Sequence, residues 1–196
     1  YSTYFVSPVP QRTKKVTIEI PKHSGLKSIA LELKRAEVIR SDKLFILSVL
    51  LRGDKSRLKA GEYEFEPGDS LNEIIEKLVR GDVVVHRITI PEGFPMNEIA
   101  ELLERNGIMS KEAFLERARS AELARELLGA PSLTSLEGYL FPDSYSYKKG
   151  ITPDELIRMM VARFKEVYMP LRTNSGGLDL TDHEIVTLAS IIEKET

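Results

Sequence analysis

Cysteine is absent from the 196 residues, which excludes disulfides and thiolate metal sites and leaves open either the cytoplasm or an exported location. Histidine is scarce: His23, His86 and His183 lie far apart, without the His-x-x-x-His spacing that sets two imidazoles on one helix face. That argues against a metal site, and no cofactor is implied. Basic excess is missing too. The net charge of −2 offers no cationic stripe for a phosphate backbone, so nucleic acid is not an expected partner. Neither a phosphate-binding loop nor a dinucleotide glycine fingerprint occurs. No run approaches the roughly 20 apolar residues that span a bilayer. With 42% hydrophobic and 30% charged residues, the chain has the balance of a globular protein of one or two domains.

The first residues, Tyr1-Ser2-Thr3-Tyr4-Phe5 onward to Pro10, are aromatic and proline-bearing and do not begin with Met. They read equally as a flexible leader or as a stem just outside a membrane, where tyrosine is enriched.

Beyond them a unit recurs three times: a short β-pattern, a proline-containing turn, then a helix with apolar residues at i, i+3, i+4 and i+7. The first copy has Val16, Ile18 and Ile20, Pro21, then Leu26, Ile29, Ala30 and Leu33. The second has Tyr63 and Phe65, the turn Pro67-Gly68-Asp69-Ser70, then Leu71, Ile74, Ile75 and Leu78. The third has Ile88 and Ile90, Pro91-Glu92-Gly93, then Met96, Ile99, Ala100 and Leu103. Ser70 and Glu73 form a capping box. A further helix, Ser41 to Leu51, ends at Arg52-Gly53-Asp54. The spacing between copies varies, which excludes a solenoid. The pattern predicts a small α+β arrangement with helices on one side of a sheet, closed by Asn106-Gly107.

The second half is mainly helical. Ser110 caps a helix to about Arg119, Ala121 to Leu128 forms another, and Thr152-Pro153-Asp154-Glu155 starts a third that Pro170 is expected to end. Asn174 to Gly177 is a loop. Thr181 and Glu184 cap a final helix with Ile185, Leu188, Ala189 and Ile192 on one face. At about 100° per residue, Glu195 falls on the flank of that face near Leu188 and Ile191, and Glu193 falls near Val186 and Ala189. Either carboxyl could sit among apolar residues, which is how proteins make an acid catalyst, and periodicity does not choose between them. His183, in the first turn, is expected to be exposed. The segment Leu136 to Tyr145 has no helical period. In it Glu137 and Asp143 could cap turns around Gly138 and Pro142, which is the stronger reading of Asp143. Alternatively they line a cleft in which Tyr139 and Tyr145 stack on a ligand.

Two stretches, Glu137-Gly138-Tyr139-Leu140-Phe141-Pro142-Asp143-Ser144-Tyr145 and Ala189-Ser190-Ile191-Ile192-Glu193-Lys194-Glu195-Thr196, resemble the YceG-like family of endolytic murein transglycosylases, with the same order of repeats, aromatic loop and final helix. The resemblance implies a membrane-proximal stem (1–13), a LysM-like α/β module (14–108) and the first part of a mainly helical, incomplete lytic transglycosylase domain (109–196). Glu66 to Leu71 looks like the turn and helix start of a LysM repeat. By the resemblance, Glu195 is the catalytic acid and Glu193 a surface or supporting residue. Glu137, Tyr139, Asp143 and Tyr145 are the substrate-binding candidates.

Further expectations come from the family alone. They are an inner-membrane anchor through one N-terminal helix, action on the periplasmic or extracellular side, peptidoglycan glycan strands as substrate, and peptidoglycan synthases as partners. In the family the domain continues well past this helix, so the chain as given is expected to be inactive by itself. A glycan-binding or scaffold module without chemistry is the competing expectation.

Overall fold

The computed structural model describes residues 13–174 and 180–195, with the side chains of residues 173–174 and 193–195 outside the described set. The stem expected over residues 1–13, Thr13 excepted, and most of the loop from Asn174 to Gly177 therefore lie outside the described residues. No described helix is long and apolar enough to cross a membrane. The chain divides into two compact units, Tyr1–Val85 and His86–Thr196.

In the first unit the order is β1 (Val16–Ile20), α1 (Leu26–Arg35), α2 (Asp42–Arg52), β2 (Gly61–Phe65) and α3 (Leu71–Arg80). β1 and β2 pair antiparallel, with Ile18 opposite Tyr63 and Val16 opposite Phe65. Alternation sends Ile18, Ile20, Tyr63 and Phe65 to one face, where Leu33, Phe45, Val49, Ile74 and Leu78 bury them. The Tyr63 hydroxyl donates to the Lys59 carbonyl at 2.8 Å, and burial, helped by the negative Asp82, pushes its pKa up to about 12. Ser41 caps α2, and Gly53 ends it in the left-handed conformation at φ 71°. The Ser70–Glu73 box closes as expected, at 3.3 and 2.7 Å. Asp54, only 4% exposed, is held by Arg52 at 3.1 Å and Arg57 at 2.8 Å.

The second unit has β3 (Val85–Thr89), α4 (Met96–Arg105), α5 (Lys111–Ala118), α6 (Ala121–Leu128), β4 (Ser144–Lys148), α7 (Pro153–Asn174) and α8 (Asp182–Glu195). β3 pairs with β4, and the ladder is extended by Ile90 N–H donating to the Asp143 carbonyl at 2.9 Å. The core is built from Ile88, Ile99, Leu103, Phe114, Leu136 and Met160 among others. Arg117 grips both oxygens of Asp154, one at 2.8 Å, and ties α5 to the first turn of α7.

The mixed α+β class is as expected, but three details differ. The strands form two separate two-stranded sheets, not one. The third strand-turn-helix copy falls in the second unit, because Ile88, Ile90, Met96, Ile99 and Leu103 bury themselves with Phe114 and Leu136. The division between the two units falls after Val85, ahead of this copy. Pro170 lies inside α7 and does not end it. A proline removes one intrahelical donor, and its neighbours Met169 and Leu171 are exposed, so the local distortion meets solvent rather than core. β4 was not legible as a strand, although Tyr145 and Tyr147 alternate in it.

Candidate functional site

Between α6 and β4 the chain turns tightly. Leu136 N–H donates to the Ala118 carbonyl at 2.9 Å, and Tyr139 N–H donates to the Leu136 carbonyl at 3.0 Å. The turn needs Gly138 at φ 83°, a conformation closed to most side chains. Space is short as well: a Cβ there would come within 3.0 Å of Val186 Cγ1 on α8. The absent side chain is what lets α8 approach the aromatic segment.

The tyrosines of that segment are core. Tyr139 is 3% exposed, lies edge-on to Phe164 at 5.2 Å and stacks on His183 at 6.2 Å. Its hydroxyl is 3.1 Å from His183 Nδ1, and burial, with the nearby Asp182 charge, raises its pKa. Tyr145 is 5% exposed and donates to the Phe141 carbonyl at 2.6 Å. Buried rings have no face to offer a sugar. Both are therefore corrected from stacking platforms to packing residues that fix the loop.

Asp143 behaves as the turn-capping reading expects. One oxygen accepts from Ser144 N–H at 2.6 Å and the other from Arg163 Nε at 2.7 Å. The backbone amide first, and the guanidinium second, hold its carboxyl below the usual range. Glu137 caps as well: its Oε1 accepts from Met96 N–H at 3.0 Å, filling the role that Pro95, at the N-cap of α4, has no side-chain acceptor to fill.

α8 is latched to α7 at its start. The Asp182 carboxylate accepts from Tyr168 and Arg172, both at 2.8 Å, while Arg172 also donates to the Leu180 carbonyl at 2.9 Å. Burial, then the Asp182 hydrogen bond, pushes the Tyr168 pKa up to about 12. The Thr181–Glu184 box forms, and its hydrogen bonds lower the Glu184 pKa.

These contacts leave a cavity of about 910 Å³ in the second unit, between the Pro91–Met96 turn, the 132–142 segment, α7 and α8. That is within the size of small-ligand sites. Of the expected binding residues only Glu137 lines it, and Glu137 is also its one carboxylate among the described residues. Tyr139, Asp143 and Tyr145 do not. Three residues with no role assigned from sequence do line it: His183, Thr187 and Ser190. They fall at i, i+4 and i+7 on α8, a polar stripe that helical periodicity could have revealed. His183 is exposed, as expected, yet it borders the cavity and contacts Tyr139.

The side chain of Glu195 lies outside the described residues, so only its register on α8 can be placed. Residue 195 follows Leu188 by seven positions and shares its side of the helix within about 20°. Leu188 is 46% exposed, and Ile191, four residues before Glu195, is 55% exposed. Position 193 shares the register of Val186, which lines the cavity. The register of Glu195 thus belongs to the uncovered side of α8 and that of Glu193 to the cavity side.

Residues 18–196 match the family model described as the YceG-like family. Among curated proteins, the chain is 28% identical over 213 residues to an endolytic murein transglycosylase of Streptococcus pneumoniae, covering 96% of this chain and 38% of that protein. It is 28% identical over 210 residues to one of Bacillus subtilis, covering 100% of this chain and 58% of that protein. The chain therefore spans between 38% and 58% of the length of these two curated relatives. Among solved structures, a crystal structure of a YceG-like protein from Listeria monocytogenes is similar at a TM-score of 0.52 and 27% identity, over 94% of this chain and 66% of that one.

Proposed function

The chain belongs to the YceG-like family, and from that premise we propose that it is part of an endolytic lytic transglycosylase that cleaves peptidoglycan glycan strands. The observation that carries the proposal is the extent of the match, from residue 18 through the sequence run Glu193-Lys194-Glu195-Thr196.

In the proposed mechanism Glu195 acts first as general acid. It protonates the oxygen that links N-acetylmuramic acid to N-acetylglucosamine as the bond to C1 breaks. As carboxylate it then takes the proton of the muramyl 6-hydroxyl, whose oxygen bonds to C1 and closes a 1,6-anhydro ring. No water is consumed, and the enzyme regains its starting protonation. Such acid–base assistance is worth roughly 10²–10⁴-fold in rate. Most glycosidases pair two carboxylates. Here that second role passes to the substrate: its acetamido group stabilises C1 as the bond breaks, and its 6-hydroxyl takes the place of water as the attacking group.

The first unit is proposed as a LysM-like module, a reading supported by its strand-helix-helix-strand order and antiparallel β1–β2 pair. Anchoring in the inner membrane, action on its outer side and work beside peptidoglycan synthases are proposals of the same standing. The chain as given is proposed to be inactive alone, since the side of α8 that carries the register of Glu195 is bare.

The test is digestion of purified glycan strands by the longer parent protein, with anhydromuramyl ends read by mass spectrometry. Glu195→Gln should keep the fold and abolish those ends, while Glu193→Gln should retain them. Anhydro ends that persist in Glu195→Gln reject the assignment. The competing reading, a glycan-binding or scaffold module, predicts strand capture without any anhydro product from the parent.

A further inference from the structure

Helix α2 is apolar on both sides. Phe45 and Val49 are fully buried on one, while on the other Leu44 is 48% exposed, Leu47 53%, Leu50 52% and Leu51 80%. At 100° per residue the exposed set fills a continuous arc of about 120°, shared only with Lys43. A helix that is apolar all round is normally covered on every side, and a contiguous exposed leucine face marks a contact surface. Leu31 on α1 is exposed as well, at 46%.

Charge identifies what covers that face. Residues 21–60, which hold α1 and α2, carry ten Lys and Arg against four Asp and Glu, a net of +6 in a chain whose total is −2. Residues 61–80, holding β2 and α3, carry six acids against two bases. The leucine face is thus set in the one strongly basic stretch of the unit, with Lys27, Lys43 and Lys55 all exposed there. A second copy of the chain laid leucine to leucine would bring two such basic surfaces together, which repels. An apolar face with Lys43 in its arc and exposed lysines in the neighbouring segments is instead the composition of a helix lying in the interface of an anionic bilayer, with leucines below the headgroups and lysines at the phosphates.

We propose that the α1–α2 layer of the first unit docks flat on an anionic lipid surface through Leu44, Leu47, Leu50 and Leu51, with Lys27, Lys43 and Lys55 at the headgroups. This adds a peripheral contact independent of any membrane-spanning anchor and of the glycan chemistry. It would hold the first unit against the bilayer and fix the height of whatever follows it.

The experiment uses the 196-residue chain and sedimentation with vesicles of phosphatidylcholine, with and without phosphatidylglycerol. Binding is expected to the mixed vesicles, falling as salt is raised, and to be weak on phosphatidylcholine alone. Leu47→Glu/Leu51→Glu should lose roughly tenfold or more in affinity with an unchanged circular dichroism spectrum, because both side chains are solvent-exposed in the free protein. Lys27→Glu/Lys43→Glu/Lys55→Glu should lose a comparable factor on phosphatidylglycerol vesicles only. Equal binding to neutral and anionic vesicles would overturn the proposal, as would binding that survives the leucine variant. A concentration-dependent dimer in light scattering that the leucine variant abolishes, without vesicle binding by the parent chain, would assign the face to a second copy instead. A soluble polyphosphate that binds the leucine variant and the parent equally, and displaces the parent from vesicles, would reduce the surface to its charge.

Discussion

Gly138→Ala tests the contact that brings α8 against the aromatic segment. The backbone at φ 83° places an alanine in the left-handed region, where L-residues are strained by about 1–2 kcal/mol. The new Cβ would also meet Val186 Cγ1 at 3.0 Å, closer than ordinary van der Waals contact. Val186 is half-buried on α8, so relief requires the helix to shift or the side chain to rotate. Overpacking of this kind costs about 1–3 kcal/mol. The two contributions together give a destabilisation of about 2–5 kcal/mol, which at about 4 °C per kcal/mol for a unit near 110 residues is a fall of roughly 8–20 °C in Tm.

The two contributions separate in a double-mutant cycle. Val186→Ala removes the atom that collides but leaves φ untouched. In the Val186→Ala background, Gly138→Ala should therefore cost only the backbone strain, and the coupling between the two positions should be about 1–3 kcal/mol. The assay is thermal and urea unfolding followed by circular dichroism on all four proteins. In the longer parent, Gly138→Ala should also depress anhydro-product formation, and Val186→Ala should restore part of it. A Gly138→Ala protein as stable as the original would refute the left-handed turn. A full-sized loss with zero coupling would refute the Val186 contact, and with it the placement of α8 on this segment.

Tyr145→Phe removes a 2.6 Å donor from the Phe141 carbonyl in a largely buried setting and should cost about 1–3 kcal/mol in urea unfolding, with little change in the sugar-binding properties of the parent. Glu137→Ala strips the only side-chain cap seen at α4 and should cost about 1 kcal/mol, whereas Glu137→Gln, which keeps an acceptor, should recover most of it. On the acid side, Asp143, Asp154 and Glu184 all have lowered pKa values, Asp154 first through its hydrogen bond to Arg117. Their contribution is complete above their ordinary values and is lost as pH falls through the lowered ones, so Tm should drop below about pH 4 and drop less in Asp154→Asn. At alkaline pH the raised pKa values of Tyr63 and Tyr168, both about 12, work the other way. Stability is complete below about pH 10 and is lost as pH climbs toward 12, a loss readable together with tyrosinate absorbance.

Local signals in the sequence were reliable where one short-range interaction decides the structure. Ser41, Ser70, Ser110 and the Thr181–Glu184 pair all cap the helices their positions announce, because a hydroxyl three residues before a free N–H needs nothing from the rest of the fold. The i, i+3, i+4, i+7 stripes of α1, α3 and α4 are buried as expected, since a continuous apolar edge has one low-energy place to go. What the stripes cannot say is which partner buries them. The third copy looks like the first two and packs elsewhere, because its neighbours Phe114 and Leu136 are fixed by chain connections that periodicity does not record. Tyr139 and Tyr145 show the same limit. A tyrosine reads alike as core or as sugar platform, and only the Phe164, His183 and Phe141 contacts decide. Pro170 misled for a different reason: proline disfavours a helix interior by a few kcal/mol, which the packing of a 22-residue helix can outweigh.

The side of α8 that faces the cavity and the side that carries the register of Glu195 call for different physics. Toward the cavity, Val186 rests on Gly138, His183 meets Tyr139, and Thr187 and Ser190 satisfy their hydroxyls on the helix's own carbonyls at 2.7 and 2.8 Å. That side is held by packing and internal hydrogen bonds around the cavity. Along the other, Leu188, Ile191 and Ile192 are each about half exposed. A carboxyl serves as proton donor near neutral pH only if its environment disfavours the anion, and desolvation is the usual means. At the register of position 195 apolar neighbours are present, but water still reaches them. The raised pKa that the proposed mechanism needs must therefore come from a surface laid over Leu188, Ile191 and Ile192, whether polypeptide or bound glycan. The acid is then armed only when that side is covered. A pH–rate profile of the parent should accordingly show the alkaline limb of kcat, set in the enzyme–substrate complex, displaced upward from that of kcat/KM, set in the free enzyme, if glycan is the cover. If polypeptide is the cover, the two limbs should coincide.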